Sequence, residues 1–142
     1  DAMLSDQLTA FGDMHEHAGF HAFQSMVASL SFRPEYYNAN REKLLGSGGV
    51  WGALEGRIPT HLRFIEACLG HDIRPHLSDI AAPTLVIHAG EDMITGPRTT
   101  MPLEEGLPNS VGVSMDRVAH VVAGKEEKIV FGKILFDFLN AH

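Results

Sequence analysis

The stretch Ile80-Ala81-Ala82-Pro83-Thr84-Leu85-Val86-Ile87-His88-Ala89-Gly90-Glu91-Asp92-Met93-Ile94-Thr95 decides how the whole chain is read. Pro83 precedes Thr84 to His88, a short β-branched apolar run of the kind that forms a buried strand. After the loop from Ala89 to Pro97 the pattern predicts a helix from about Thr99 to Gly106. A turn at Pro108-Asn109-Ser110 then leads into a weaker second strand, Val111 to Met115. The last segment, about Lys125 to Leu139, sets Ile129, Val130, Ile134, Leu135, Phe138 and Leu139 on one broad apolar face, as in a helix that packs on a sheet. Strand, helix, strand, helix implies parallel strands. Parallel sheets are buried on both faces, and two strands leave both outer edges unpaired. The rest of the sheet is therefore expected from another polypeptide segment.

Upstream, from Leu4 to about Leu69, helical periodicity is broken only by Gly and Pro. Leu4, Leu8 and Phe11 recur at three-to-four spacing, and so do Phe20, Phe23, Met26, Val27 and Leu30. Pro34 opens a helix with Tyr37, Arg41 and Leu44 along one side, and the run Gly46-Ser47-Gly48-Gly49 ends it. Pro59 opens another, with Leu62, Ile65, Cys68 and Leu69 on its apolar side and Gly70 at its close. The expectation is a set of about four short helices, with the lone Cys68 as a small buried hydrophobe.

Bulk properties remove several function classes. The 142 residues are 44% hydrophobic and 20% charged, a globular composition, with a formal net charge of −7. That charge repels a phosphate backbone, and the scattered Arg57, Arg63, Arg74, Arg98 and Arg117 make no basic stripe, so nucleic acid is not an expected partner. No apolar run approaches the roughly 20 residues of a membrane span. One cysteine allows neither an internal disulfide nor a multi-cysteine zinc site. Together with the lack of a signal-peptide pattern, this leads to an expected cytoplasmic location.

The quoted stretch resembles the penultimate core strand of the α/β-hydrolase family and the acid loop after it. The later strand to Met115 and the segment Asp116-Arg117-Val118-Ala119-His120 resemble the last core strand and its histidine loop, with Ala119 where many relatives have Gly. The terminal helix, ending Ile134-Leu135-Phe136-Asp137-Phe138-Leu139, is similar to the family's closing helix, and the upstream helices resemble its variable cap. The resemblance implies an α/β fold: a helical cap (residues 1–72) followed by the C-terminal β-α-β-α part of an α/β-hydrolase sheet (residues 73–142), incomplete without another chain segment.

The resemblance also implies a chemistry. Asp92 matches the triad acid and His120 the general base, in the acid-before-histidine order of this fold. A serine hydroxyl is a weak nucleophile and needs an imidazole to take its proton, while a carboxylate holds that imidazole in the right tautomer. Glu91, beside Asp92, is the alternative acid. A nucleophile elbow, Gly-x-Ser-x-Gly on a strand-to-helix turn, is missing. Its nearest approach, Leu45-Gly46-Ser47-Gly48-Gly49, follows helical residues and reads as a turn. The expected enzyme is thus an esterase-like hydrolase of carboxylic esters or related acyl compounds. Its Ser and oxyanion hole would come from a separate N-terminal chain, made by cleavage before the cap. An acyltransferase, a C–C bond hydrolase or a non-catalytic self-associating fragment are the alternatives.

Phe23, Met26, Trp51, Ile94 and Val121 are expected to line an apolar substrate pocket. His17 and His21 stand four apart, as metal ligands on a helix can, with His15 nearby, but the His-Glu-x-x-His arrangement is lacking. All three are expected to be surface histidines. No metal or cofactor is expected.

Overall fold

Asp1 caps the first helix, its carboxylate accepting from the Leu4 amide at 2.8 Å, and α1 runs over Ala2–Asp13. The computed structural model describes residues 1–142, which divide into two units, Asp1–His71 and Asp72–His142. In the first unit α1 continues into a π-helical turn, Met14–Ala18, and then come α2 (Phe20–Ser31), α3 (Pro34–Leu44), a 3-10 turn (Gly52–Leu54) and α4 (Ile58–Gly70). Pro sits in the first turn of both α3 and α4, where its fixed φ suits the helix and its missing N–H costs no hydrogen bond.

The apolar stripes of these helices meet in an aromatic core of Phe11, Phe20, Phe23, Val27, Phe32, Leu44 and Ile65. Phe23 lies edge-on to Phe11 at 6.3 Å between ring centres and is stacked on His15 at 5.3 Å. His15 is therefore not a surface histidine. The π-helical turn carries it inward, where its Nδ1 meets Nδ1 of His61 at 2.9 Å. Cys68 corrects the sequence expectation in the opposite sense, for it is exposed. Only His61 and Ile65 of α4 are buried, and Leu62 and Ile65 close on Gly12 of α1. Beyond Ile65 the helix finds no cover, as Leu69 at 45% exposure also shows.

The buried histidine pair makes this unit sensitive to acid. Burial lowers the pKa of His61 from 6.5, and repulsion from His15 lowers it further. A folded-state pKa below the unfolded value means that the unfolded chain binds the proton first. The stabilisation is therefore whole above pH 6.5 and is lost as the pH falls below it towards the folded value. Thermal unfolding of the chain on either side of that pH should show the melting temperature falling on the acid side, and His61→Phe should flatten the fall.

Gln24, fully buried in α2, organises the Gly46–Val50 turn. Its Nε2 donates to the carbonyls of Gly46 (2.9 Å) and Val50 (2.7 Å), and its Oε1 accepts from the Gly46 amide (2.7 Å). Gln24→Leu keeps the volume but leaves the Gly46 amide and the Val50 carbonyl without partners, while the Gly46 carbonyl keeps the Gly49 amide. A loss of about 1–3 kcal/mol is expected, seen as a lower urea midpoint at unchanged slope.

The second unit contains a 3-10 turn (Arg74–Asp79), β1 (Thr84–Ala89), α5 (Pro97–Gly106), β2 (Ser110–Met115) and α6 (Lys125–Ala141). The strands are parallel, in register from Thr84 opposite Ser110 to Ala89 opposite Met115. Both outer edges of this two-stranded sheet are unpaired. β1 buries Val86 and His88, whereas β2 buries only Met115 and leaves Val111 at 48% exposure. The expected packing of α6 is realised only in part within the chain, where Ile134, Leu135 and Phe138 are half-buried. No residue of α6 is buried, and Ile129, Val130, Phe136 and Leu139 are all more than half exposed. Two strands offer too narrow a face to cover an apolar helix of 17 residues. No helix is long and apolar enough to cross a membrane.

Candidate active site

The ladder between the strands continues past their ends. Beyond the Ala89–Met115 pair, the Gly90 amide donates to the Met115 carbonyl at 3.0 Å and the Glu91 amide to the Val118 carbonyl at 2.9 Å. This stitch draws together the loops after β1 and β2. It requires glycine at position 90, where a Cβ would stand 2.6 Å from the Asp116 carbonyl oxygen.

Asp92 comes next in the first loop and is folded back on it. Its Oδ1 accepts from the amides of Ile94 (2.7 Å) and Thr95 (2.9 Å), and its Oδ2 accepts from the Thr95 hydroxyl (3.0 Å). The same Oδ2 stands 3.1 Å from Nδ1 of His120, which lies on the loop after β2. The Asp92 side chain is 5% exposed and that of His120 33% exposed. Burial alone would raise the Asp92 pKa. The hydrogen bonds with His120, Ile94 and Thr95, and the charge attraction to His120, outweigh it and bring the carboxyl from 3.8 down to about 2. Asp92 is thus ionised and accepts only.

The geometry separates the two acids considered from sequence. The Asp92 carboxylate meets His120, while Glu91 is exposed and contributes its main-chain amide to the Val118 carbonyl. Ser47 lies exposed in the turn that Gln24 holds. Phe23 and Ile94, expected to line a pocket, are core residues at 2% and 6% exposure. Met26 at 45% is open, and Trp51 and Val121 are half-buried. Trp51 has φ 55°, the single non-glycine residue of positive φ, a left-handed conformation that bulky residues seldom adopt. His17 is exposed with Glu16 3.6 Å away, His21 is exposed, and no group of three or more ligating side chains comes together.

Two participants escaped the sequence reading. Thr95 touches both Asp92 and His120, its hydroxyl 3.1 Å from Nδ1. Arg98 braces the loop by donating from Nη2 to the Ile94 carbonyl at 2.6 Å. The signal for Thr95 was present: three residues after an Asp, main-chain amides commonly fold back onto the carboxylate. A second buried polar group lies under α5, where His88 Nδ1 meets Thr100 Oγ1 at 2.8 Å and Nε2 meets Glu104 Oε2 at 2.7 Å.

Asp92 and His120 thus project from the C-terminal ends of two adjacent parallel strands, the edge at which open α/β sheets bind ligands. With Nδ1 engaged by Asp92, Nε2 is the imidazole nitrogen left to exchange a proton with a reacting group.

No family model matches the sequence, and no curated protein matches it. Solved structures do. An α/β-hydrolase enzyme from a Medee basin deep-sea metagenome library superposes with a TM-score of 0.82 at 20% identity, over 99% of this chain and 52% of its own. The enol-lactonase from Burkholderia xenovorans gives 0.75 at 22% identity, over 94% and 50%. An esterase from Exiguobacterium antarcticum gives 0.72 at 15% identity, over 96% and 48%. The chain therefore has an α/β-hydrolase fold in part, spanning about half the length of the structures it resembles.

Proposed function

We propose that this chain supplies the acid and base of a serine hydrolase acting on carboxylic esters or related acyl compounds, with the nucleophilic serine on another, N-terminal segment. The observation that carries the reading is the Asp92–His120 pair, 3.1 Å apart, with the carboxylate buried and ionised. Likeness to an esterase and an enol-lactonase supports the choice of an ester substrate.

In the proposed reaction His120 Nε2 accepts the serine proton as the serine oxygen attacks the acyl carbonyl. Asp92 stabilises the imidazolium that forms without itself taking the proton. The imidazolium then gives its proton to the departing alcohol, leaving an acyl-enzyme. Water attacks that ester while Nε2 again takes a proton, and the serine is restored on release of the acid. The unpaired sheet edges and the exposed apolar face of α6 are where the missing strands and the serine-bearing segment would dock.

A fluorophosphonate probe tests this. Labelling of a serine on a polypeptide that associates with this chain, at a rate that falls when His120 is changed, is the expected result. A chain that forms only a stable homo-oligomer and acquires no labelled partner would overturn the proposal.

A further inference from the structure

We infer that Thr95 is a positioning residue that holds His120 in the tautomer with its hydrogen on Nδ1; the inference rests on the hydrolase reading of Asp92 and His120. Three distances carry it. The Thr95 hydroxyl is 3.0 Å from Asp92 Oδ2 and 3.1 Å from His120 Nδ1, and those two atoms are themselves 3.1 Å apart. The three polar atoms form a nearly equilateral triangle.

The protons in that triangle can be counted. A hydroxyl has one hydrogen to donate, and an ionised carboxylate has none. The Thr95 hydrogen goes to Asp92 Oδ2, so the hydroxyl oxygen turns its lone pairs towards His120. Nδ1 then faces acceptors on both sides, Oδ2 and Oγ1. A bare Nδ1 would set its lone pair against two others, whereas Nδ1–H satisfies both through a bifurcated bond. The neutral imidazole therefore keeps Nε2 free as the acceptor for a nucleophile's proton. Two acceptors on different residues also define the direction of the N–H bond more narrowly than one. This matters for a ring whose side chain is one-third exposed, where water competes for Nδ1.

Thr95 is itself held before any ligand arrives. Its amide donates to Asp92 Oδ1, and Arg98 fixes the preceding carbonyl of Ile94. Gly96 lets the turn close behind it, because a Cβ there would run into the Asp92 carbonyl oxygen. A β-branched side chain has few χ1 rotamers, so little freedom is lost in aiming the hydroxyl. Serine offers the same hydroxyl on a looser stem, and valine offers the same shape without it.

The tautomer can be read directly from the ring nitrogens of His120 by long-range ¹H–¹⁵N NMR on the 142-residue chain. The neutral ring of the wild type is expected to show a protonated Nδ1 and a bare Nε2. Thr95→Val should move the two nitrogen shifts towards each other, as an exchanging mixture of tautomers does, and Thr95→Ser should restore the separation. Thr95→Ala, read in the same way, replaces the valine variant if that one fails to fold. A wild-type pattern in the hydroxyl-free variant, or a serine variant that behaves like valine, would overturn the inference. In the complete enzyme Thr95→Val should lower kcat up to about tenfold at unchanged KM. A raised KM at unchanged kcat counts against it. The NMR readout needs no serine, so failure of the hydrolase reading would appear separately, in the fluorophosphonate labelling.

Discussion

On the proposed hydrolase reading, Asp92→Asn is expected to lower kcat by about 10⁴-fold while leaving the fold in place. The local bonds dictate the direction. Oδ1 accepts two main-chain amides, from Ile94 and Thr95, so the asparagine must put its carbonyl oxygen there. Its NH2 then occupies the place of Oδ2, facing the Thr95 hydroxyl and His120 Nδ1. A donor now meets Nδ1, which must accept, and the imidazole hydrogen is driven to Nε2. In the proposed reaction that nitrogen could then no longer take the proton of the serine. Flipping the amide would point its NH2 at two amide donors, so the inverted arrangement offers no escape. Pre-steady-state acylation or the rate of fluorophosphonate labelling measures the effect. A loss smaller than tenfold would show that Asp92 does not govern the imidazole.

His120→Ala is expected to cost more, roughly 10⁴–10⁶-fold in kcat, because it removes the proposed proton acceptor itself. Stability should hardly change. The imidazole side chain is 33% exposed, and Asp92 Oδ2 keeps the Thr95 hydroxyl when the ring is lost, so the cost should stay at about 1 kcal/mol. Loss of rate without loss of stability separates a catalytic group from a structural one. The double variant Asp92→Asn/His120→Ala should be no slower than His120→Ala alone, since Asp92 acts through the ring that has been removed. Additive losses would mean that the carboxylate contributes by a route that bypasses His120.

Much of the second unit was legible along the chain. The apolar run after Pro83 became β1, and the weaker segment before Asp116 became β2, extended back by one residue to Ser110. Helix α5 begins at Pro97, two residues before the expected Thr99, because a proline is well accommodated at a helix start. The apolar face of α6 was also legible, yet its packing was not, since periodicity shows that a face is apolar without showing what covers it.

In the first unit the short helices followed their periodicity, but the burial of single residues did not. Cys68 continues the stripe of α4 on paper and is exposed in the fold. His15 looked like one of three surface histidines and is buried against His61, 46 residues away. A helical stripe records the direction in which a side chain points; whether a neighbour waits there depends on where the other helices lie.

Order along the chain was decided by sequence alone: two parallel strands, an acid loop after the first and a histidine loop after the second. Pairing of Asp92 with His120, 28 residues apart, was decided only in three dimensions. The register that sets Ala89 opposite Met115, and the two bonds that extend it through Gly90 and Glu91, bring one loop onto the other. That register turns Asp92 rather than its neighbour Glu91 towards the imidazole and sets the Thr95 hydroxyl between them. Hydrogen bonds are directional over a few tenths of an ångström, and only the folded backbone supplies placement that fine.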